Sequence, residues 1–351
     1  MCKYLYFLVL VGVILSCSDD TTDATETYLP TPLALEVPTV FSERILPPIL
    51  PVNNPLTVEG VALGEKLFFD ASLSGDGTVS CASCHISSSA FTDNDQFSTG
   101  INGNRGTRNS MPLFNLAWNY GERFFWDGAA SSLEDQAFEP VTNPDEMGNT
   151  WPNVVTTLEQ DPEYPELFRM AFGEDEIDSV RVVQAIAQFE RTLISANSRF
   201  DQFLLGTLEL TPQEENGRNV FLMETKGDCF HCHGNPNNPL WTDNIFHNNG
   251  LDATFTDLGL GRITGDPADN GKFKTPSLRN LAFTAPYMHD GRFQTLDEVI
   301  DHYSEGLQDS PTIDPLMKSV AQGGVQLSEQ DKADLKAFLL SLSDEDFVGN
   351  N

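Results

Sequence analysis

The chain is 351 residues long and strongly acidic, with 52 Asp and Glu against 20 Lys and Arg and a formal net charge of −32. It offers no basic patch to neutralise phosphate, which excludes nucleic acid as a partner, while the sign of the charge suits steering of a basic protein partner. With 40% hydrophobic residues it can bury real cores, and its length suggests two domains of ordinary size.

Residues 1–17 read as an export signal. Lys3 supplies a short positive region and Tyr4 to Leu15 an apolar stretch, shorter than the roughly 20 residues of a spanning helix. Ile14-Leu15-Ser16-Cys17 resembles a bacterial lipobox with Cys17 lipidated after cleavage; an ordinary signal peptide or an uncleaved anchor are the alternatives. Cys17 would otherwise be an unpaired exported thiol, and Cys2 leaves with the signal. The expected address is therefore extracytoplasmic, on the periplasmic side or cell envelope, with membrane contact only through a lipid anchor. Residues 18–54 are expected to form a flexible tether and then an extended segment. Ser18 to Glu36 is acidic and Thr-rich, and Pro38, Pro47, Pro48, Pro51 and Pro55 follow. Thr57 to Phe69 reads as a helix with Val58, Val61, Ala62 and Phe68 on one face.

Cys81-Ala82-Ser83-Cys84-His85 comes next, and its twin is Cys229-Phe230-His231-Cys232-His233. Each is a C-x-x-C-H run, the attachment signature of a c-type haem. Two thiols at this spacing reach the two vinyl groups of one porphyrin, and the adjacent histidine is held beneath the iron as proximal ligand. A zinc site is the alternative, but zinc ribbons place their pairs roughly 15–20 residues apart. Here 144 residues separate Cys84 from Cys229, and both pairs are followed by His. A disulfide framework of two vicinal bridges would staple little of so long a chain.

Ile177 to Leu205 is the clearest helix, with Val183, Ile186, Phe189 and Leu193 at helical spacing and Arg181, Gln184 and Glu190 facing away. It closes a first domain, 55–205. Thr211-Pro212-Gln213-Glu214 is a capping box with Pro at the first helical position; its helix leads to the second motif in a second domain, 206–345. Ser328 caps the last helix, whose Leu335, Phe338, Leu339 and Leu342 form an apolar stripe. Strand-like alternation is scarce, so the class is mainly α. An internal repeat supports two copies of one cytochrome-c-like unit. Met111-Pro112-Leu113-Phe114-Asn115-Leu116-Ala117 matches Thr275-Pro276-Ser277-Leu278-Arg279-Asn280-Leu281-Ala282. Phe125-Trp126-Asp127-Gly128 matches Met288-His289-Asp290-Gly291, so Trp126 and His289 occupy equivalent places. Ser132 and Thr295 both look like N-caps with an acidic residue at N3.

With these residues together, the chain resembles the bacterial di-haem cytochrome c peroxidase family, which includes the MauG-type protein-oxidising enzymes. The likeness covers roughly residues 55 to 345. It rests on both haem motifs, Arg108-Asn109-Ser110, Phe125-Trp126-Asp127-Gly128, Gln136, Glu146-Met147-Gly148 and Thr284-Ala285-Pro286-Tyr287-Met288-His289-Asp290-Gly291. It implies two covalent c-type haems. The peroxidatic one lies in the N-terminal domain with His85 as proximal ligand, and the electron-transferring one in the C-terminal domain with His233. It implies that Trp126 carries electrons between them, against the commoner fate of Trp as a core residue. It implies that Gln136 and Glu146 form the distal pair, an amide to hold peroxide and a carboxylate to move its proton. It further implies one calcium ion bound by Asn109 and by the carbonyls of Thr284 and Pro286, with a polar turn as the plainer alternative.

One departure stands out. Many family members carry a capping histidine about seven residues before Arg108, where this chain has Ile101; no histidine lies between His85 and His231. A histidine cap from this domain is absent, which puts reductive activation in doubt. For the second axial ligand of the C-terminal haem, Tyr303 stands where peroxidases of the family keep methionine and MauG-type enzymes tyrosine; Met317 is the rival. His289 is expected near a haem edge, and His247 and His302 are unassigned. The resemblance implies reduction of hydrogen peroxide to water with electrons from a basic or small cytochrome c. The alternatives are a MauG-like oxidase acting on a partner protein and a non-enzymatic electron carrier. A homodimer is compatible with it.

Overall fold

The computed structural model describes residues 28–349; the signal and the start of the tether lie outside them. The described chain is mainly helical, and its one sheet there pairs Phe246–His247 with Phe273–Lys274 antiparallel.

The internal repeat is visible as two helix crossings built alike. In the first half, the Val58–Phe69 helix packs on Ser179–Glu190. In the second, Pro212–Leu222 packs on Glu329–Leu340. Each crossing closes on a glycine. A Cβ at Gly64 would stand 1.9 Å from the Ala185 carbonyl oxygen, and one at Gly217 would stand 1.9 Å from that of Asp334. The buried face of the first helix is therefore Gly60, Leu63, Gly64, Leu67 and Phe68. Of the face expected from sequence only Phe68 is buried; Ala62 is exposed and Val58 is 48% exposed. The contact surface is set by glycines, which a hydrophobic pattern does not register.

The caps are where the sequence places them. Ser132, Thr211, Thr295 and Ser328 each accept a bond from a backbone N–H in the first turn of their helix, and Thr57, expected as the first helical residue, is a cap of the same kind. The expected helix over 177–205 is instead two, Ser179–Glu190 and Arg199–Leu204. Backbone donors between them are diverted to side chains. Ser195 N–H goes to Asn115 Oδ1, Ala196 and Asn197 N–H go to Asp344 Oδ2, and Ser198 opens a new capping box with Asp201. Glu190, expected to face away, is 4% exposed.

From Tyr28 onward the N-terminal segment is packed rather than free. Tyr28 Oη and Thr31 N–H donate to the Glu59 carboxylate, and a short helical turn, Thr39–Ser42, buries Val40 and Phe41. Phe41 meets Trp118 edge-on at 5.1 Å. The stripe Leu335, Phe338, Leu339 and Leu342 is buried as expected, but Glu329–Leu340 is not the last helix. Glu345–Gly349 follows it and sets Phe347 into the core of the first half. One hydrophobic cluster gathers residues 63–193 with Phe347, and a second gathers residues 200–342.

Candidate haem sites and the cavity between them

Cys81–Cys84 forms a single helical turn, capped by reciprocal bonds between Ser80 and Ser83, with His85 as its C-cap. His85 Nδ1 lies 2.9 Å from Phe91 O. A carbonyl only accepts, so Nδ1 carries the proton and Nε2 is left with a free lone pair. Ser110 Oγ, 3.3 Å from the same Nδ1, donates to Cys84 O and ties the ring to its own turn. The second motif forms the turn Phe230–His233. His233 Nδ1 is buried with no hydrogen-bond partner. Burial pushes the group down to about 4, against the charge of Asp243 and then the carbonyls of Trp241 and Pro276, which favour its proton. All four cysteines of the two motifs are free. Burial pushes Cys84 up to about 11 and the other three to about 12, so the side chains are unionised thiols. Unpaired neutral thiols beside a histidine kept neutral, with an imidazole nitrogen to spare, fit thioether attachment of haem.

A cavity of about 1350 Å³ opens beside the first motif and runs between the halves. Cys84, His85, Gln136 and Glu146 line it, as do Arg108, Asn109, Trp126 and His289. Glu146 is held by Asn143 Nδ2, 2.7 Å from Oε1, and burial raises its carboxyl above the usual range against that bond. Ile101 does not enter the cavity lining. Its N–H donates to Glu146 O at 2.8 Å, and its Cδ1 lies against Gly148, where a Cβ would be 2.2 Å away. It is a buried apolar brace for the loop that carries Glu146.

The two halves meet through equivalent backbone bonds. Asn109 N–H donates to His289 O at 2.8 Å, and Lys274 N–H donates to Trp126 O at 2.9 Å. Trp126, 7% exposed, also donates from Nε1 to Asn109 O at 2.8 Å. Asn109 Nδ2 bonds Asp95 O and Gln96 O. Asn94 Nδ2 bonds Phe283 O and Ala285 O, which brings the loop with buried Thr284 and Pro286 alongside. Phe273 stacks on His289 at 3.6 Å, placing that histidine at the cavity wall.

Tyr303 is half-buried, and its hydroxyl accepts from Asn249 Nδ2 at 3.1 Å. Burial pushes it up to about 12, and the thiols of Cys232 and Cys229 add to the rise, so the ring stands at the second motif. Met317, likewise half-buried, closes a turn on Asp314 O. His247 is bracketed by Asp314 (2.6 Å) and Asp243 (2.9 Å). Asp243 foremost, with Asp314, raises it against burial. His302 Nε2 lies 3.2 Å from Asn249 O.

Several residues were not singled out by sequence. Asp127, 0% exposed, accepts from Arg108 Nη1 (2.7 Å) and Arg262 Nη2 (2.6 Å). Burial would raise its carboxyl, but the two guanidiniums hold it below the usual range. Arg108 also grips Asp257 through two bonds. Lys274 is buried in the cavity wall, and Glu190 Oε2 is buried without a partner, its carboxyl pushed up to about 8 by burial. Only Arg108 and Asp127 had a signal, as members of quoted motifs; the others gain meaning from partners distant in sequence.

A helical fold with two haem-attachment turns, the first of them opening on a cavity lined from both halves, defines a haem-dependent oxidoreductase. Residues 58–209 match the family model for di-haem cytochrome c peroxidase. The methylamine utilization protein MauG of Methylorubrum extorquens is 42% identical over 300 residues, 84% of this chain and 81% of that protein. The cytochrome c551 peroxidase of Nitrosomonas europaea is 37% identical over 262 residues, 72% of this chain and 76% of that protein. A crystal structure of a MauG-like protein associated with microbial copper homeostasis superposes with TM-score 0.81 at 36% identity, covering 90% of this chain and 97% of that one. The chain belongs to the di-haem cytochrome c peroxidase family. No helix among the described residues is long and apolar enough to cross a membrane.

Proposed function

We propose that the chain reduces hydrogen peroxide to water at the haem held by His85, taking two electrons and two protons per peroxide. The 55–205 half holds that haem, and the 206–345 half holds the electron-transferring haem on His233. Haem, when bound, supplies the redox-active iron and its open coordination position. The chain supplies the rest. His85, its Nδ1 proton committed to Phe91 O, presents Nε2 to the iron. Gln136 holds the peroxide through its amide. Glu146 takes the proton from the inner peroxide oxygen and returns it to the outer one, which leaves as water. Trp126, bonded to Asn109 and accepting from Lys274, is the route between the halves. Asn109 Oδ1 and the Thr284 and Pro286 carbonyls are hard oxygen donors of the kind calcium takes. A lipid anchor at Cys17 and a basic small cytochrome as donor complete the proposal.

The observation that carries this reading is that Gln136 and Glu146 line the same cavity as His85; an electron carrier needs no acid–base pair there. Glu146→Gln is expected to keep both haems while slowing peroxide cleavage by about 10²–10⁴-fold, roughly 3–5 kcal/mol of barrier. A near-wild-type rate in stopped-flow would remove the role. The proton is taken by the carboxylate, so the wild-type rate should rise with pH through a pKa above the ordinary glutamate value, in line with its raised carboxyl. The variant should lack that limb.

A second reading, a MauG-like oxidase of a partner protein, draws support from Tyr303 at the second motif and from Ile101. Turnover of peroxide with reduced cytochrome c separates the two. Sustained turnover supports the peroxidase, and its absence in a two-haem protein that still consumes peroxide supports the oxidase.

A further inference from the structure

Lys274 is 7% exposed, in the wall of the cavity between the halves. Its Nζ donates to Asn119 Oδ1 at 3.1 Å and Asn244 O at 3.3 Å, both neutral groups. The other cations along this wall are matched. Arg108 and Arg262 share Asp127, and Arg108 takes Asp257 as well, two positive charges against two negative. Lys274 is outside that balance. Asp243, the acid that acts on it through space, is already bonded to His247. A buried ammonium met only by neutral groups and, 5.9 Å away, the Phe246 ring is costly unless an anion meets it, and burial has pushed this one down to about 8.

The position also has a counterpart. Lys274 and Asn109 are equivalent in the two cross-half bonds, one donating to Trp126 O and the other to His289 O. Asn109 Nδ2 reaches Gln96 O, and Lys274 Nζ reaches Asn244 O; Gln96 and Asn244 each stand fifteen residues after the first cysteine of their motif. One half thus presents an amide at this junction and the other a full positive charge.

The anion is given by the second motif's chemistry. Lys274 precedes Thr275, Pro276 and Ser277, all in the cavity lining, and the Pro276 carbonyl borders His233. A porphyrin joined to Cys229 and Cys232 by its vinyl edge carries its two carboxylates on the opposite edge. We propose that Lys274 Nζ is the buried counter-ion of a propionate of the haem held by His233. It is thereby a positioning residue that sets that haem's potential. The proposal rests on the two-haem reading, which haem counting by intact mass checks independently.

The experiment uses the two-haem protein. Lys274→Gln keeps a hydrogen-bonding chain of similar length and removes the charge; Lys274→Arg restores it. Removing a nearby cation disfavours the more negative, reduced haem. Spectroelectrochemical titration of Lys274→Gln should show the reduction equilibrium of the His233 haem shifted roughly tenfold toward the oxidised form. The His85 haem should stay in place and Lys274→Arg should return to wild type. The propionate bending bands of the resonance Raman spectrum should move in Lys274→Gln alone. Unchanged midpoints, a shift confined to the His85 haem, or Lys274→Arg behaving as Lys274→Gln would overturn it. If Lys274→Gln accumulates with one haem, two haems in Lys274→Arg support an anchoring charge; one haem in both overturns it.

Discussion

Tyr303 and Met317 compete for one position, and their surroundings differ in kind. Tyr303, half-buried, stands beside Cys229 and Cys232 with its hydroxyl pinned by Asn249. Met317 sits half-buried in a turn closed on its own backbone. A tyrosine oxygen favours ferric iron, whereas methionine sulfur favours ferrous iron and raises the potential. Wild-type ferric protein is therefore expected to lack the near-infrared charge-transfer band of methionine–ferric haem. Tyr303→Phe should alter the ferric spectrum of the second haem, and Met317→Leu should not. A band present in wild type and lost in Met317→Leu would reverse the assignment. At this scale the sequence was legible where chemistry demands contiguity. Two thiols and an imidazole must be neighbours to hold one porphyrin. Arg262 lies 135 residues from Asp127, and nothing local marks either as half of an ion pair.

Among the elements, what sequence conveyed was the local part. A cap needs a hydroxyl and an N–H three residues on, so Ser132, Thr211, Thr295 and Ser328 were readable. The faces and the break at 191–198 were not, since they depend on Gly64, Gly217, Asn115 and Asp344 meeting distant backbone. The glycine crossings make a paired test of the repeat. Gly64→Ala and Gly217→Ala each gain helix propensity, about 1 kcal/mol, but place a methyl 1.9 Å from a backbone oxygen. Backbone cannot yield as a flexible side chain does, so the helices must separate, and overpacking of this kind costs about 1–3 kcal/mol or more. Both variants should be destabilised in urea by similar amounts. A neutral Gly217→Ala beside a damaging Gly64→Ala would mean that the crossings only look alike.

Over the whole molecule the chain's end returns to its beginning. The helix Glu345–Gly349 belongs by sequence to the second half, yet Phe347 packs at 5.8 Å from Phe91 and 6.0 Å from Phe114, in the core of the first. Asp344 secures the return. Its Oδ2 accepts from Ala196 and Asn197 N–H, and its own N–H donates to Asn280 Oδ1. Asn280 in turn donates to Ser195 Oγ. Phe91 is also the residue whose carbonyl orients His85, so a tail ring far along the chain rests on the support of the first proximal ligand. Phe347→Ala empties a buried ring site and should cost about 3–5 kcal/mol. The loss should appear at the first haem. Urea unfolding followed by the spectrum of each haem should show the His85 haem losing its native form at lower denaturant, ahead of the His233 haem. If the His233 haem gives way first, the tail stabilises only the half it follows in sequence, and the cross-half packing contributes little to the first site.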